Sequence, residues 1–357
     1  MLSKNTILIV EDDKENIAGL RAILDDEYDV FVAINGEGAL NILRTTQPDL
    51  ILLDIGLPDM DGFDVMERLR NLKGCESIPV IFITGETDVY VEEYGLSKGA
   101  EDYIRKPYVP NVLLVKVQNS IERKMSRDQL EWLVQQRTRE LVYSREMIIM
   151  GMSFLAERRD LGTGKHIKRI MKYTKILVDQ IAKDHPGLIS QRECEEIILY
   201  SSLHDVGKVG IPDSILLKPG RLTREEFEVI KTHTTIGADV LAVTASLNNE
   251  FQGDLKTAID IAECHHEKWN GSGYPHGYVG EQIPIAARII SLPDIYDALT
   301  NRRSYKEAYR HDMARDIIVN GDGRTMPEHF DPIVLNAFIA TEKQFAELCV
   351  DDELGGV

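Results

Sequence analysis

The N-terminal third of the chain alternates short apolar runs with longer amphipathic stretches. Runs rich in β-branched residues and leucine stand at 7–10, 50–54 and 79–85, and stretches with helical spacing lie between them, for example at 15–26 and 63–72. Short apolar runs of this kind are typical of strands buried on both faces of a parallel sheet. Their alternation with helices over about 120 residues predicts a doubly wound α/β domain.

The pattern then becomes helical without interruption. Residues 112–150 contain neither Gly nor Pro, and Leu130, Leu133, Leu141 and Ile148 recur near helical spacing. The segment is therefore predicted to be one long helix. It either connects two domains while packing on its own chain or pairs two chains in a parallel coiled coil, and the short, imperfect heptad leaves both interpretations open.

Beyond Gly151 the strand patterns fade and helical stretches dominate. We expect a second, all-α domain there, of about 200 residues, because strand signals are missing from its apolar pattern. The predicted boundaries are 1–123 for the α/β domain, 124–150 for the helical linker and 151–357 for the all-α domain.

Composition narrows the function classes. A chain of 357 residues is too long for one ordinary core, and its formal net charge of −18 disfavours binding to nucleic acid or to anionic membranes. The four cysteines are far apart without a CxxC pair, so no disulfide framework is expected. No signal-like or membrane-spanning apolar run is evident, and a cytoplasmic location is the expectation.

Polar and charged residues follow the predicted strands. Glu11 and Asp12 follow the first strand, Asp54 ends the third, Thr84 comes near the end of the next, and Lys106 stands in YIRKP. Because the carboxyl ends of parallel strands share one edge of the sheet, these side chains should meet there. Each alone has an ordinary explanation as a helix cap or loop residue. Together they predict a phosphoryl-acceptor site, since an oxygen-only cluster suits Mg²⁺.

With these residues at the strand ends, 5–123 resembles the receiver domain of bacterial response regulators. The resemblance implies that Asp54 accepts a phosphoryl group from a cognate sensor histidine kinase and that this domain switches the other one. The implied Mg²⁺ ligands are Glu11, Asp12, Asp54 and the backbone carbonyl of Gly56, and the implied switch residues are Thr84, Tyr103 and Lys106.

Histidines concentrate in the second domain. His204–Asp205 and His265–His266 are doublets, and adjacent residues on a helix point about 100° apart, so each doublet can serve two metal ions. Asp294 adds a carboxylate at a helical position. Imidazole with fewer carboxylates suits Fe, Mn, Ni or Zn, and two such ions can assist the hydrolysis of a phosphodiester. Four other histidines lack such partners and are expected to be ordinary: His185, His276, His311 and His329.

Residues 150–340 resemble the HD-GYP branch of the HD phosphohydrolases. The resemblance rests on RRDLGTGKHIKRI, LHDVGKVGIPDSILLKPGRLT, HTTIGADVL, HHEKWNGSGYP, IPIAARII, DIYDALTNRRSYK and HFDPIVLNAF. Members of that branch open cyclic di-GMP to linear pGpG, sometimes onward to GMP. The implied function is therefore a response regulator whose phosphorylation controls a cyclic di-GMP phosphodiesterase, with two transition-metal ions, Fe or Mn before Ni or Zn.

The same resemblance implies roles for individual residues. Asp205 would bridge the two ions, and Lys208 would neutralise a phosphate oxygen or a bridging hydroxide. Tyr274 of the GYP loop offers a stackable surface for a guanine base or a partner protein. The implied metal ligands are His166, His204, Asp205, His233, His265, His266 and Asp294, and Arg303 and Lys306 are the implied phosphate-binding pair.

Three positions depart from the family pattern. Gly162 stands where some members have a Glu ligand, which predicts a binuclear site and pGpG as the main product. Asn270 replaces a more usual Asp, and Pro293 precedes Asp294, where it could alter a helix start. Two other interpretations stay open: a non-enzymatic module that senses nucleotides or binds proteins, and a hydrolase of another cyclic dinucleotide such as 3′,3′-cGAMP. Homodimerisation through the long helix is also expected.

Overall fold

The computed structural model describes residues 4–85, 94–158, 164–247, 255–301 and 308–354. It divides into two compact units, and the boundary along the chain lies between Arg139 and Glu140, inside the predicted linker. The elements of the first unit are β1 (Thr6–Val10), α1 (Lys14–Leu24), β2 (Asp29–Ala33), α2 (Gly36–Leu43), β3 (Leu50–Asp54), α3 (Gly62–Arg70), β4 (Val80–Thr84) and β5 (Asp102–Arg105), followed by the start of the long helix α4 (Pro110–Glu157).

The five strands form one parallel sheet in the order β2-β1-β3-β4-β5. Alternate residues of the central strands enter two separate cores, one on each face, which explains why these strands form continuous apolar runs in the sequence. The predicted α/β class is confirmed. The strand register pairs Val10 with Leu53 and Asp54 with Ile83, and so aligns the carboxyl ends of β1, β3 and β4 at one edge.

The second unit is helical, as predicted. Capping boxes start two of its helices, with Ser190 and Glu193 at one and Thr223 and Glu226 at the other. Its helices are α5 (Lys165–Asp184), α6 (Gln191–Tyr200), α7 (Asp213–Leu216), α8 (Arg224–Lys231), α9 (His233–Ser246), α10 (Lys256–Cys264), α11 (Ile285–Thr300), α12 (His311–Asn320) and α13 (Pro332–Leu354), with 3-10 turns at Ser201–Leu203, Val206–Gly210, Gly280–Gln282 and Pro327–His329.

An aromatic cluster fixes three of these helices to one another. Tyr173 of α5 stacks on Phe345 of α13, with ring centroids 4.7 Å apart, and Tyr296 of α11 meets both rings edge-on. All three side chains are fully buried. Burial of an apolar side chain such as Phe345 contributes about 1.5–3 kcal/mol, so the cluster helps to hold together three helices of the domain that carries the histidines.

The long helix α4 contains 48 residues and continues past Gly151, farther than the predicted 112–150. Leu130, Leu133, Leu141 and Ile148 are all exposed, at 61%, 43%, 71% and 62% of their accessible surface. They are therefore not packed on their own chain within the described residues. No helix in the described part of the chain combines the length and apolar character that a membrane span requires.

Candidate functional site

The His204–Asp205 doublet lies in a tight turn rather than on an α-helix. The turn connects the 3-10 segments Ser201–Leu203 and Val206–Gly210, so the expected helical position of the doublet is wrong. Gly207 permits this arrangement, because a β-carbon there would clash with the backbone carbonyl of His233 at the start of α9. The turn is thereby pressed against the helix that carries the next histidine.

The other candidate ligands stand at helix ends or on a helix. His166 is the second residue of α5, His233 is the first of α9, and His265 and His266 directly follow α10. Asp294 lies inside α11, which starts at Ile285 and contains Pro293 in its interior. The proline therefore does not set a helix start at this point, and the expectation that it would is wrong.

Four imidazoles are oriented by hydrogen bonds from their Nδ1 atoms. His204 donates to the Ser201 carbonyl at 2.8 Å, His233 to the Ile230 carbonyl at 2.6 Å and His265 to the Ile261 carbonyl at 3.0 Å. His166 Nδ1 lies 2.7 Å from a carboxylate oxygen of Asp297. In a neutral ring with its proton on Nδ1 the lone pair is on Nε2, so each of the four rings can offer Nε2 to a metal that displaces any second proton.

Asp205 is shared by two groups of these atoms. Its Oδ2 lies 3.2 Å from His204 Nε2, whereas its Oδ1 lies 3.3 Å from His233 Nε2 and 3.9 Å from His265 Nε2. Lys208 Nζ is 2.8 Å from Oδ2. Two sets of ligand atoms, each within 4.8 Å of one another, meet at this carboxylate: His166, His204 and Asp205, and Asp205, His233, His265 and His266.

Asp294 borders the first set. Its Oδ1 lies 3.9 Å from His204 Nε2, so it can complete the same side of the cluster. Burial disfavours a charged imidazole at His204, yet the carboxylates of Asp205 and Asp294 outweigh burial and raise the pKa of His204 to about 9. Burial lowers the pKa of His265 to about 3, and the neighbouring imidazoles add to that shift. The first side thus attracts a positive charge, and the second offers neutral nitrogen ligands.

These donors fit transition-metal ions. The Nε2 atoms of His233 and His265 are 3.4 Å apart, and because both Nδ1 atoms donate elsewhere, two lone pairs face each other. His204 Nε2 is buried without a hydrogen-bond partner among the described residues. A shared cation removes both problems, and a set of imidazoles with fewer carboxylates suits Fe, Mn, Ni or Zn. The ligand residues stay a prediction, which this geometry supports.

Asp297 was missed by the sequence analysis. It is 3% exposed, accepts the hydrogen bond from His166, and also accepts one from Arg169 Nε at 2.5 Å and one from Asn301 at 3.0 Å. A carboxylate behind a ligand histidine fixes the ring and raises its basicity. Its spacing in the sequence could have indicated this role, because Asp297 follows the candidate ligand Asp294 by three residues on the same helix and so lies on the same helix face.

The loop after the histidine doublet is held by Glu267, which had no assigned role. Its buried carboxylate accepts hydrogen bonds from the backbone of His276 at 2.7 Å, Gly277 at 3.1 Å and Tyr278 at 3.1 Å. Gly271 has a φ of +79°, and a β-carbon on Gly273 would clash with the backbone of Lys268. The structure thus explains why glycine stands at both positions: Gly271 adopts a positive φ, and Gly273 allows the close approach of another backbone segment.

Tyr274 lies beside the second set of ligands. Its ring centroid is 4.8 Å from that of His266 and 6.3 Å from that of Phe227, and Lys231 Nζ lies 5.5 Å above it. This aromatic wall can flank a substrate at the cluster. Arg303, Lys306 and Gly162 lie outside the described residues.

The predicted acceptor site of the first domain is assembled at the sheet edge. Carboxylate oxygens of Glu11, Asp12 and Asp54 lie within 4.8 Å of one another. Lys106 Nζ is 2.7 Å from Glu11 and 3.1 Å from Asp54. Three carboxylates and one ammonium leave a net negative site suited to Mg²⁺. Thr84 ends the neighbouring strand β4, Tyr103 lies on β5 beneath Lys116 Nζ at 5.0 Å, and Gly56 follows β3.

The fold and the two sites together define a class: a receiver-type switch joined to a helical domain with a histidine–aspartate cluster. Family comparison agrees, with the response regulator receiver domain matching residues 7–118 and the HD domain matching residues 152–334. The chain belongs to the response regulators with an HD-GYP output domain, the cyclic di-GMP phosphodiesterase family.

Three relatives illustrate the match. A "Probable cyclic di-GMP phosphodiesterase" of Vibrio cholerae is 39% identical, over 97% of this chain and 80% of its own length. The cyclic di-GMP phosphodiesterase response regulator RpfG of Xanthomonas campestris is 32% identical, over 96% of this chain and 89% of its own. A 3′3′-cGAMP-specific phosphodiesterase of Vibrio cholerae is 35% identical, but over 58% of this chain and 35% of its own length.

Proposed function

We propose that this protein is a response regulator in which phosphorylation of Asp54 controls a metal-dependent phosphodiesterase that hydrolyses cyclic di-GMP to pGpG. The observation that carries the proposal is Asp205, whose two oxygens face separate sets of imidazole nitrogens. A carboxylate shared in this way is the arrangement that a binuclear hydrolase needs. Relatives named as cyclic di-GMP phosphodiesterases, matched over nearly the whole chain, support the substrate.

The side chains around the cluster have distinct tasks in this reaction. Two bound ions would supply Lewis-acid polarisation of the phosphodiester and acidify a water molecule. Lys208, held 2.8 Å from Asp205, places a positive charge where phosphate charge develops. Tyr274 flanks His266 and offers a face on which a guanine base stacks. The two ligand sets account for two ions, which favours a single cleavage with pGpG as product.

The direct test is turnover by protein purified and loaded with Fe or Mn without oxygen. We expect cyclic di-GMP to be converted to pGpG, identified by chromatography and mass spectrometry. Asp205→Asn should lose both activity and bound metal, because it removes charge from both ligand sets. Asp213→Asn, on the short helix α7, is the matched control and should keep both. A fully loaded protein that leaves cyclic di-GMP and 3′,3′-cGAMP intact would contradict the enzymatic proposal and favour a sensing or protein-binding module.

A second candidate substrate is 3′,3′-cGAMP. The observation in its favour is the relative named as specific for that dinucleotide, although the match is confined to part of both chains. Comparing kcat/KM for the two dinucleotides on the same preparation separates the alternatives. A ratio above about tenfold in favour of cyclic di-GMP, or about 1.4 kcal/mol in transition-state stabilisation, would assign the first substrate.

Regulation is proposed to pass through the long helix, in a homodimer. Val134, Leu141, Ile148 and Leu155 recur every seven residues and are 63%, 71%, 62% and 73% exposed. A seam of this period is buried when two parallel helices pair. We propose that phosphorylation by a sensor histidine kinase, with Mg²⁺ bound, changes this pairing and thereby access to the metal centre.

The regulatory proposal is tested with a small-molecule phosphodonor. Wild-type protein should change its activity, its oligomeric state or both when the donor and Mg²⁺ are added, whereas Asp54→Ala should not respond. If wild type and Asp54→Ala behave identically with and without the donor, phosphorylation does not control the output domain.

A further inference from the structure

Two aromatic rings meet beside the second ligand set, and a lysine lies in the corner between them. Tyr274 and Phe227 are nearly perpendicular, with ring planes at 80° and centroids 6.3 Å apart. Lys231 Nζ lies 5.1 Å from the Phe227 centroid and 5.5 Å from the Tyr274 centroid. The Tyr274 ring is 4.8 Å from that of His266, a candidate ligand. The corner is therefore one ring away from the candidate metal centre.

The last turn of α8 holds this corner in a fixed position relative to the ligands. Phe227 and Lys231 are four residues apart on α8 and so lie on one helix face. The Thr234 hydroxyl donates to the Lys231 carbonyl at 2.9 Å, and His233 Nδ1 donates to the Ile230 carbonyl at 2.6 Å. Both bonds join the end of α8 to the start of α9, where His233 stands. The same backbone turn therefore positions the corner and a candidate ligand.

The corner is open to solvent and carries both a donor and an acceptor. Phe227 is 44% exposed, and the side chains of Lys231 and Glu228 are also partly or largely exposed. Lys231 Nζ donates to Glu228 Oε1 at 2.8 Å, which uses one of the three N–H groups of the ammonium. An ammonium and a carboxylate thus stand side by side at an exposed aromatic surface, where a planar ligand can stack and form hydrogen bonds through its edge.

This pair matches the polar edge of guanine. Guanine carries an acceptor, O6, next to a donor, N1–H, so Lys231 can donate to O6 while Glu228 accepts from N1–H. Adenine has the opposite order, with its N6 amino group next to the acceptor N1. It would place a donor against the ammonium and an acceptor against the carboxylate. The rings can stack on either base, whereas the charged pair distinguishes guanine from adenine.

We propose that Phe227, Glu228 and Lys231 form, together with Tyr274, a site that selects guanine in the substrate. The proposal rests on the proposed function, which brings a phosphodiester to the metal centre, and adds the base that is preferred beside it. Lys231 and Glu228 determine specificity in this scheme and do not contact the reacting atoms. The corner lies one ring from His266, so it receives a base while the phosphate is at the cluster.

The test compares cyclic di-GMP with cyclic di-AMP, which has no guanine, on the same Mn²⁺-loaded preparation. Wild-type kcat/KM should favour cyclic di-GMP by at least about tenfold, the size of one specific base contact. Lys231→Met keeps the length of the side chain and removes its donors. It should lower kcat/KM for cyclic di-GMP about tenfold and leave cyclic di-AMP unchanged. Lys175→Met is the matched control, because Lys175 is exposed and also pairs along its helix, with Asp179 at 2.7 Å.

Two further variants test the hydrogen bonds themselves. Lys231→Arg keeps donors for O6 and should retain most of the preference for guanine. Glu228→Met removes the acceptor for N1–H and should lower the ratio of the two kcat/KM values, although it also removes a negative charge near an anionic substrate. The ratio is the decisive quantity, because both dinucleotides are assayed on one preparation. Any loss of folded or metal-loaded protein therefore cancels.

A general charge effect would give a different result. If Lys231 only attracts the anionic substrate, Lys231→Met lowers kcat/KM for both dinucleotides by the same factor, and the unchanged ratio overturns the proposal. A wild-type protein that cleaves neither dinucleotide contradicts the proposed function instead. The base preference is then measured as the ratio of the two Kd values by calorimetry. Wild-type protein without a preference for cyclic di-GMP in binding, or a preference that persists in Lys231→Met, would also overturn the guanine site.

Discussion

Replacing Asp297 by asparagine should weaken metal binding without touching a ligand. In the native protein the carboxylate of Asp297 accepts the Nδ1 proton of His166 at 2.7 Å and is 3% exposed. The amide of the Asp297→Asn variant keeps one acceptor oxygen but no charge, so His166 becomes a less basic ligand and its ring is less strongly fixed. Loss of such a supporting group typically costs about 10–100-fold in metal affinity, or about 1.4–2.7 kcal/mol.

The same substitution also loosens an ion pair, so metal binding and folding must be measured apart. Asp297 accepts from Arg169 Nε at 2.5 Å, and Arg169 is 11% exposed. The weakened pair should lower the free energy of unfolding by about 1–3 kcal/mol. Asp331→Asn is the matched control, because Asp331 is equally buried and accepts from Arg288 at 2.6 Å, and among the described residues its side-chain hydrogen bonds go to Arg288 and Ile333 rather than to a candidate ligand.

The assay is titration of metal-free protein with Mn²⁺ in the presence of a chelator, together with urea unfolding of the metal-free form. Both variants should unfold at lower urea concentration than wild type, and only Asp297→Asn should need more Mn²⁺ for half-saturation. Equal Mn²⁺ affinity in Asp297→Asn and wild type would refute a supporting role for Asp297. An equal loss in Asp297→Asn and Asp331→Asn would show that general loosening of the domain explains the effect.

Three further outcomes follow from contacts elsewhere. Glu267→Gln should lower the free energy of unfolding by about 2 kcal/mol, measured with urea, because its carboxylate holds three backbone N–H groups of the GYP loop; unchanged stability would contradict that role. Lys106→Met should tighten Mg²⁺ binding about tenfold by calorimetry, since it removes a cation 2.7 Å from Glu11; weaker binding would contradict the charge argument. Leu141→Glu with Ile148→Glu should yield a monomer by light scattering, and a wild-type protein that is already monomeric would remove the proposed seam.

The α/β domain could be predicted because its signals are local. Each central strand enters a core on both faces, so its residues form an unbroken apolar run that ends where a polar edge begins. Strand β2 shows that an apolar run alone does not reveal an edge position. Residues 30–33 are all apolar, yet Phe31 is exposed and Val30 and Val32 are only partly buried. The long helix was equally clear, but its end was not, because Gly151 does not terminate a helix that continues to Glu157.

The candidate metal centre was less predictable, because its geometry depends on backbone atoms that the residue types do not reveal. The rings of His204 and His265 are oriented by hydrogen bonds from Nδ1 to the backbone carbonyl groups of Ser201 and Ile261. Any residue type could supply such a carbonyl group. The His204–Asp205 doublet was expected on a helix because an apolar run precedes it. It lies in a turn instead, and the turn can pack closely against the start of α9 because Gly207 has no β-carbon. Supporting carboxylates such as Asp297 differ from surface acids only by burial, which long-range packing decides. A search for acids one helical turn from a candidate ligand would have found Asp297, which follows Asp294 by three residues on α11.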